Sequence, residues 1–278
     1  MTFIPVCAAA VVGIAPPAAA SPSSPPTAVT QTASSGGVTA TVTFTRGAMG
    51  TYPSKVLTIS RGGHVAYHRP VTSRLCGPRA STQKYCAPGL GRTSVHVLDL
   101  EHNGRPDVVL DLYTGGAHCC SVEQVFSLNP ATGAYARVER NFGDPGERIA
   151  DLDHNGRHEF LTADDAFAYR FTDFAASGLP IEILTFAHRH FTNVTRRYPN
   201  LIAKDAATYL KAFNRDHSDD EGLFAAWAAD EDNLGHQALV AQMLARELTA
   251  GNLRGGFQSA KKFAAALPRF LRKEGYVH

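Results

Sequence analysis

Two polar loops of the same design, 52 residues apart, constrain the fold of this chain more than any other feature. The first reads DLEHNGRPD from Asp99 to Asp107, and the second reads DLDHNGRHE from Asp151 to Glu159. Each loop follows an apolar run typical of a strand and precedes another, and further strand-like segments come after both. A loop with about four strands therefore repeats, and units of about 40–50 residues with four strands each are typical of β-propeller blades.

Residues 37–199 alternate between polar and apolar side chains, as in the segments VTATVTFT, KVLTIS and HVAYH. Turn sequences such as RGG and PATG separate these segments, so we expect antiparallel strands joined by short connections. This length holds about three four-stranded units, whereas closed propellers typically have 4–8 blades. A partial propeller, a β-sandwich and a sheet completed by another chain are therefore alternative arrangements.

After the segment RRYPN the pattern changes from strands to helices. Residues 200–278 are rich in Ala and Leu, and apolar residues recur at helical spacing in four segments. The sequence therefore predicts an α+β (multi-part) fold, in which an antiparallel β domain of propeller-like repeats is followed by a small helical bundle.

The two loops have the donor pattern that a hard divalent cation requires. Oxygen-bearing side chains stand at positions 1, 3, 5 and 9, a glycine at position 6 permits a sharp turn, and a backbone carbonyl is available at position 7. The predicted calcium ligands are Asp99, Glu101, Asn103, the Arg105 carbonyl and Asp107 in the first loop, and Asp151, Asp153, Asn155, the Arg157 carbonyl and Glu159 in the second. The alternative is a pair of polar turns with solvated carboxylates.

An EF-hand does not account for these loops. Its loop ends with a bidentate Glu at position 12 and lies between helices. Position 12 is Leu110 in the first loop and Thr162 in the second, and both loops have strand-like flanks.

The D-x-D-x-D-G-x-x-D pattern, repeated in register over residues 94–196, resembles the FG-GAP and VCBS-type repeats of integrin-like β-propellers. Glu101 stands where the pattern has an aspartate, which lengthens one ligand arm. The resemblance implies calcium held between strands at the edge of a blade, where it supports the structure of extracellular binding or adhesion proteins.

The N-terminal segment predicts export from the cytoplasm. Residues 1–20 form an apolar run without acidic residues that ends in small residues, as in a signal peptide. Pro16 and Pro17 interrupt this run before it reaches the roughly 20 residues needed to cross a bilayer, so we expect no transmembrane anchor. Residues 21–36 are rich in Pro, Ser and Thr and are expected to form a disordered linker.

Four cysteines follow this segment, an even number that predicts disulfides in an exported chain. Cys76 and Cys86 enclose a loop with Gly, Pro and Ser, which favours a bond between them. This pairing leaves Cys119 and Cys120 to form a vicinal disulfide or to remain thiols. His118 beside them suggests zinc as a weaker alternative, because further ligands at a suitable spacing are missing.

The formal net charge of +2 gives no reason to expect nucleic acid as a partner. The chain also lacks the G-x-S-x-G, H-E-x-x-H, P-loop and dinucleotide motifs. We therefore expect a secreted, non-enzymatic, calcium-stabilised binding or adhesion-type protein of the cell envelope or extracellular space, whose ligand the sequence does not identify. The alternatives are a secreted hydrolase with an acidic or His site and a structural assembly subunit with an open sheet edge.

Overall fold

A computed structural model describes residues 27–77, 79–89, 93–116, 119–215, 220–254 and 256–277. The predicted signal peptide, residues 1–20, and residues 21–26 of the predicted linker lie outside this described part. The strands are β1 Thr27–Ser35, β2 Val38–Arg46, β3 Lys55–Arg61, β4 His64–Pro70, β5 Ala87–Pro88, β6 Val95–Leu98, β7 Asp107–Gly116, β8 Cys119–Leu128, β9 Tyr135–Gly143, β10 Arg148–Ala150, β11 Glu159–Ala163, β12 Ile181–Ala187 and β13 His190–Asn193. The helices are α1 Ala80–Gln83, α2 Pro199–Arg215, α3 Asp220–Asn233, α4 Gln237–Ala250 and α5 Ala260–Lys273.

The strands form three antiparallel sheets in which, apart from the pairing of β5 with β7, neighbours in sequence pair with each other. Sheet one has the order β1-β2-β3-β4 and sheet three the order β10-β11-β12-β13. Sheet two runs β5-β7-β8-β9, and β6 pairs with β7 beside β5. The expected α+β class and antiparallel pairing are confirmed, but the described strands do not close into a barrel or a propeller.

Alternation along the strands places sheet two between two apolar layers. One layer joins sheets one and two through residues including Phe44, Leu57, Ile59, Val97, Val108, Leu110, Val122 and Phe126. The other joins sheets two and three through Leu100, Val109, Val125, Phe142, Phe160, Leu184 and Phe186. Both faces of sheet two are therefore covered by apolar layers, and the buried polar residues Glu123 and Gln124 also lie in the middle of this sheet.

Strand β1 corrects the prediction that residues 21–36 form a disordered linker. Thr27–Ser35 pairs with β2 along its whole length. Hydroxyl groups meet across this pair, with Thr32 and Thr41 at 3.1 Å and Ser34 and Thr39 at 2.9 Å. A composition rich in Ser and Thr thus serves here in an exposed edge strand, stabilised by cross-strand side-chain pairs.

Helices replace strands at Pro199, the first residue of α2, where its fixed φ suits the first turn. Helix α4 ends at Gly251, whose φ of 71° gives the left-handed cap that glycine favours. The helical core also includes Phe167 and Phe171, which come from the segment between β11 and β12. The helices therefore share their core with the β part, and no described helix is long and apolar enough to cross a bilayer.

Candidate functional site

The two polar loops occupy the same place in successive sheets. The first joins β6 to β7 and the second joins β10 to β11, so each lies between the first and second strands of a four-stranded run. The residue at position 4 has a positive φ in both, 53° at His102 and 59° at His154. The glycine at position 6 has φ 75° at Gly104 and 87° at Gly156, as the predicted sharp turn requires.

The same hydrogen bonds organise both loops. In the second, Asp151 Oδ1 accepts from the Asn155 amide at 3.0 Å and Asp151 Oδ2 accepts from the Gly156 amide at 2.9 Å. The Asn155 side-chain oxygen accepts from the Arg157 amide at 2.8 Å.

Asp99 in the first loop accepts from the Asn103 and Gly104 amides at 2.9 and 2.7 Å. Asn103 accepts from the Arg105 amide at 2.9 Å. The repeat seen in the sequence is therefore also a repeat in three dimensions.

The second loop brings three carboxylates together. Oxygens of Asp151, Asp153 and Glu159 all lie within 4.8 Å of one another. Two oxygens bound to one calcium ion at 2.3–2.6 Å are at most about 5 Å apart, so one ion can contact all three side chains. Of the predicted ligands in this loop, these three form the group, whereas the Asn155 side chain holds the turn.

The group combines exposed and buried charge. Asp153 is exposed, whereas Glu159 is 1% exposed and accepts from the Leu152 amide at 3.0 Å. Loss of hydration acts to raise the pKa of the Asp151 carboxyl, but the amides of Gly156 and Asn155 outweigh it and lower this pKa. Burial, followed by the charge of Glu159 and a hydrogen bond to it, raises the pKa of the Tyr198 hydroxyl, which stays protonated beside that carboxylate.

The first loop differs in its carboxylates. Among the described residues, Asp99, Glu101 and Asp107 do not gather as the three acids of the second loop do. The longer Glu101 side chain accepts from the His188 amide in the turn between β12 and β13 at 3.2 Å. Burial raises the pKa of Asp107 to about 7, and the charges of Glu101 and Asp99 add to this increase. A hydrogen bond with Ser127 acts in the opposite direction and lowers the pKa. Calcium binding in this loop stays a prediction.

The loops of sheets two and three touch each other. The His158 amide donates to the Leu100 carbonyl at 3.3 Å. A Cβ atom at Gly156 would lie 2.5 Å from His102 Nδ1, so a side chain there would displace the His102 ring, and the φ of 87° also favours glycine. Ion binding in the second loop would therefore act on a contact between two sheets.

The predicted bond between Cys76 and Cys86 is confirmed, with Cα atoms 5.6 Å apart. Cys120 also takes part in a disulfide, so it is not a free thiol. Disulfides are typical of chains that fold outside the reducing cytoplasm. His118, considered above as a zinc ligand, lies outside the described residues.

The structure also contains a second cluster of three carboxylates, which the sequence did not predict. Oxygens of Asp111, Glu123 and Glu147 lie within 4.8 Å of one another. Burial, the charges of Asp111 and Glu147 and hydrogen bonds with them raise the pKa of Glu123 well above its usual value. Asp111 Oδ2 lies 3.3 Å from His96 Nε2, and this contact raises the pKa of the imidazole against the effect of burial. Asp111 and Glu123 lie on β7 and β8 and Glu147 lies in the segment before β10, and the strand register brings the first two together.

Comparison with known proteins gives distant relatives only. Over 160 residues the chain is 26% identical to a protein of Synechocystis sp. described as "Probable thylakoid lumen protein", covering 51% of this chain and 44% of that protein. Over 79 residues it is 29% identical to an uncharacterized protein of Sinorhizobium fredii, covering 28% of this chain and 12% of that one. The chain thus spans less than half the length of these relatives. No family model and no solved structure matches it.

Proposed function

We propose that this chain is a non-enzymatic binding protein that works outside the cytoplasm and that calcium in its second polar loop stabilises its fold. The single observation that supports this most strongly is the group formed by Asp151, Asp153 and Glu159. Three carboxylates so close together repel each other strongly, and a divalent cation among them removes that repulsion. Backbone hydrogen bonds hold the Asp151 carboxylate in the loop, and the Leu152 amide holds Glu159, so two of the three carboxylates are fixed in position for an ion.

The position of the loop supports a structural role for the ion. In sheets two and three the polar loop joins two adjacent paired strands, β6 to β7 and β10 to β11, which is the arrangement that the resemblance to FG-GAP and VCBS-type repeats implies. Gly156 of the second loop lies against His102 of the first. An ion that fixes the second loop would therefore also stabilise the packing of sheet three on sheet two.

Two further observations favour a compartment outside the cytoplasm. The disulfide between Cys76 and Cys86 forms in oxidising surroundings. The Synechocystis relative is described as a protein of the thylakoid lumen, which is not a cytoplasmic compartment. Both agree with the export that the N-terminal sequence predicts.

Thermal unfolding with and without calcium tests the stabilising role. At a calcium concentration 100 times the Kd the fold gains about 2.7 kcal/mol. For a chain of this size the melting temperature should then rise by about 5–10 °C. Asp153→Asn should abolish most of this rise, because it removes an exposed ligand that accepts no hydrogen bond from the loop backbone.

Asp173→Asn is the matched control, since it removes an equal charge from an exposed side chain that belongs to neither carboxylate cluster. Its calcium response should equal that of wild type. A wild-type melting curve that is the same in calcium and in chelator would refute the calcium role. Turnover in a hydrolase panel that depends on one acidic residue would instead refute the non-enzymatic role.

A further inference from the structure

The second carboxylate cluster, Asp111–Glu123–Glu147, lies near the middle of the paired strands β7 and β8 of sheet two. Asp111 on β7 and Glu123 on β8 are directly opposite each other in the strand register. Glu147 reaches the same point from the segment that leads into β10. Like charges directly opposite in an antiparallel pair destabilise a sheet, so this arrangement requires a compensating positive charge or bound protons.

Burial of Glu123 costs more free energy than burial of the other two carboxylates in the cluster. Its side chain is 0% exposed, and no N–H or hydroxyl group of the described residues donates to either carboxylate oxygen. Asp111 Oδ1 is likewise buried without a donor. Buried carboxylates in stable proteins are normally paired, hydrogen-bonded or bound to a metal.

A cavity of about 620 Å³ opens over this group. Glu123 lies in its wall together with Asp111 and Glu147, and His96 and Tyr113 add polar groups beside them. The His96 side chain is 39% exposed and the Asp111 side chain 25%, so the cluster lies next to solvent on this side, whereas both Glu123 oxygens and Asp111 Oδ1 are buried. The cluster therefore has oxygen ligands for an ion beside a cavity that opens to solvent.

We propose that Asp111, Glu123 and Glu147 bind an oxygen-preferring divalent cation, such as Mn²⁺ or Ca²⁺, at the base of this cavity. The spacing of the oxygens, within 4.8 Å of one another, agrees with metal–oxygen distances of about 2.1–2.6 Å. Such a cation requires more ligands than three carboxylate oxygens, and the open cavity supplies room for water or an oxygen-bearing ligand. His96 holds Asp111 through its Nε2 atom, a contact that orients a ligating carboxylate.

This site is separate from the calcium loop and does not depend on the function proposed above. The carboxylate cluster in the second loop and the cluster at Asp111, Glu123 and Glu147 share no residue. Substitutions in one group therefore test that group alone, and the alternative for Glu123, a proton shared among the three carboxyls, takes up no metal.

Titration of the metal-free full chain with Mn²⁺, followed by electron paramagnetic resonance of the free ion, tests the proposal. Glu123→Gln keeps the size of the side chain and should bind one ion fewer than wild type, or bind that ion at least tenfold more weakly. Asp153→Asn should leave this site intact and affect only the loop. Asp232→Asn, which removes another buried carboxylate in α3, is the matched control and should bind as wild type does.

Equal stoichiometry and affinity in wild type and a folded Glu123→Gln variant would overturn the proposal. If Glu123→Gln does not fold, Asp111→Asn is the second test, because the Asp111 side chain is partly exposed. Weaker binding in this variant would support the proposal, and unchanged binding would overturn it. Loss of an ion in Asp153→Asn but in neither Glu123→Gln nor Asp111→Asn would support the calcium loop and refute this site. Loss of an ion in Glu123→Gln but not in Asp153→Asn would support this site and refute calcium binding in the second loop. Competition by Ca²⁺ and Mg²⁺ then identifies the preferred ion.

Discussion

The buried Asp230 and the half-buried Asp205, a pair of carboxyls in the helical part, should make the stability of this chain depend on pH. Asp230 on α3 is 0% exposed, and neither of its oxygens accepts from an N–H or hydroxyl group of the described residues. Burial, the charge of Asp205 and a hydrogen bond with it raise the pKa of Asp230 to about 9. Asp205 itself accepts from the Ile181 amide at 3.0 Å, so the shared proton lies on Asp230 and is donated to Asp205.

The size of the effect follows from the proton that the folded chain keeps. An aspartate in the unfolded chain has a pKa of about 3.9, so between about pH 4 and 9 the folded state holds one proton more than the unfolded state. The contribution of this proton to stability is complete below about pH 4 and falls as pH rises, by about 1.4 kcal/mol per pH unit. From pH 5 to 8 the loss is on the order of 4 kcal/mol, an upper value for a single group.

Asp230→Asn should remove this dependence, because an amide donates to Asp205 without taking up a proton. Urea unfolding at pH 5, 6.5 and 8 in excess calcium measures how the free energy of unfolding depends on pH. The proteins compared are wild type, Asp230→Asn and the exposed control Asp173→Asn. The free energy of unfolding of Asp230→Asn should rise relative to wild type by about 1 kcal/mol per pH unit. Parallel pH profiles for the two proteins would refute the protonated state assigned to Asp230.

Two further predictions concern the loops and the disulfide. Gly156→Ala should lower the free energy of unfolding by about 1–3 kcal/mol, because φ is 87° and the new methyl group meets His102. Gly104→Ala, at the same position of the first loop with φ 75° and no atom in its way, should cost less, and equal urea midpoints for the two variants would contradict the contact between the loops. Joint replacement of Cys76 and Cys86 by Ser should lower stability by about 2–3 kcal/mol, as the loss of a short disulfide loop does. An unchanged urea midpoint in that variant would show that the disulfide does not constrain the unfolded chain.

Local patterns in the sequence predict much of this structure. The alternation in β2 and β3 identifies strands, and the apolar spacing after Pro199 identifies helices, as in α5, where Phe263, Leu267 and Phe270 are buried. The two loops are predicted down to their glycines because both the turn and the donor pattern depend on residues close together in the chain. The bond between Cys76 and Cys86 is predicted for the same reason, since it closes a short loop.

What the sequence did not predict depends on contacts between distant segments. Thr27–Ser35 looks like a linker by composition and becomes a strand because β2 offers a partner edge. Asp111 and Glu123 look like ordinary strand residues until the register places them opposite each other, and Glu147 joins them from a loop. The first loop has nearly the same sequence as the second, yet Glu101 contacts the His188 amide in another sheet.

Isothermal titration of the metal-free chain with Ca²⁺ tests the central claim most directly, because it counts the ions and does not depend on unfolding. Asp153→Asn should take up one calcium ion fewer than wild type, whereas Asp173→Asn should match wild type. A titration in which wild type and Asp153→Asn bind the same number of ions with the same affinity would contradict the assignment of the second loop as a calcium site.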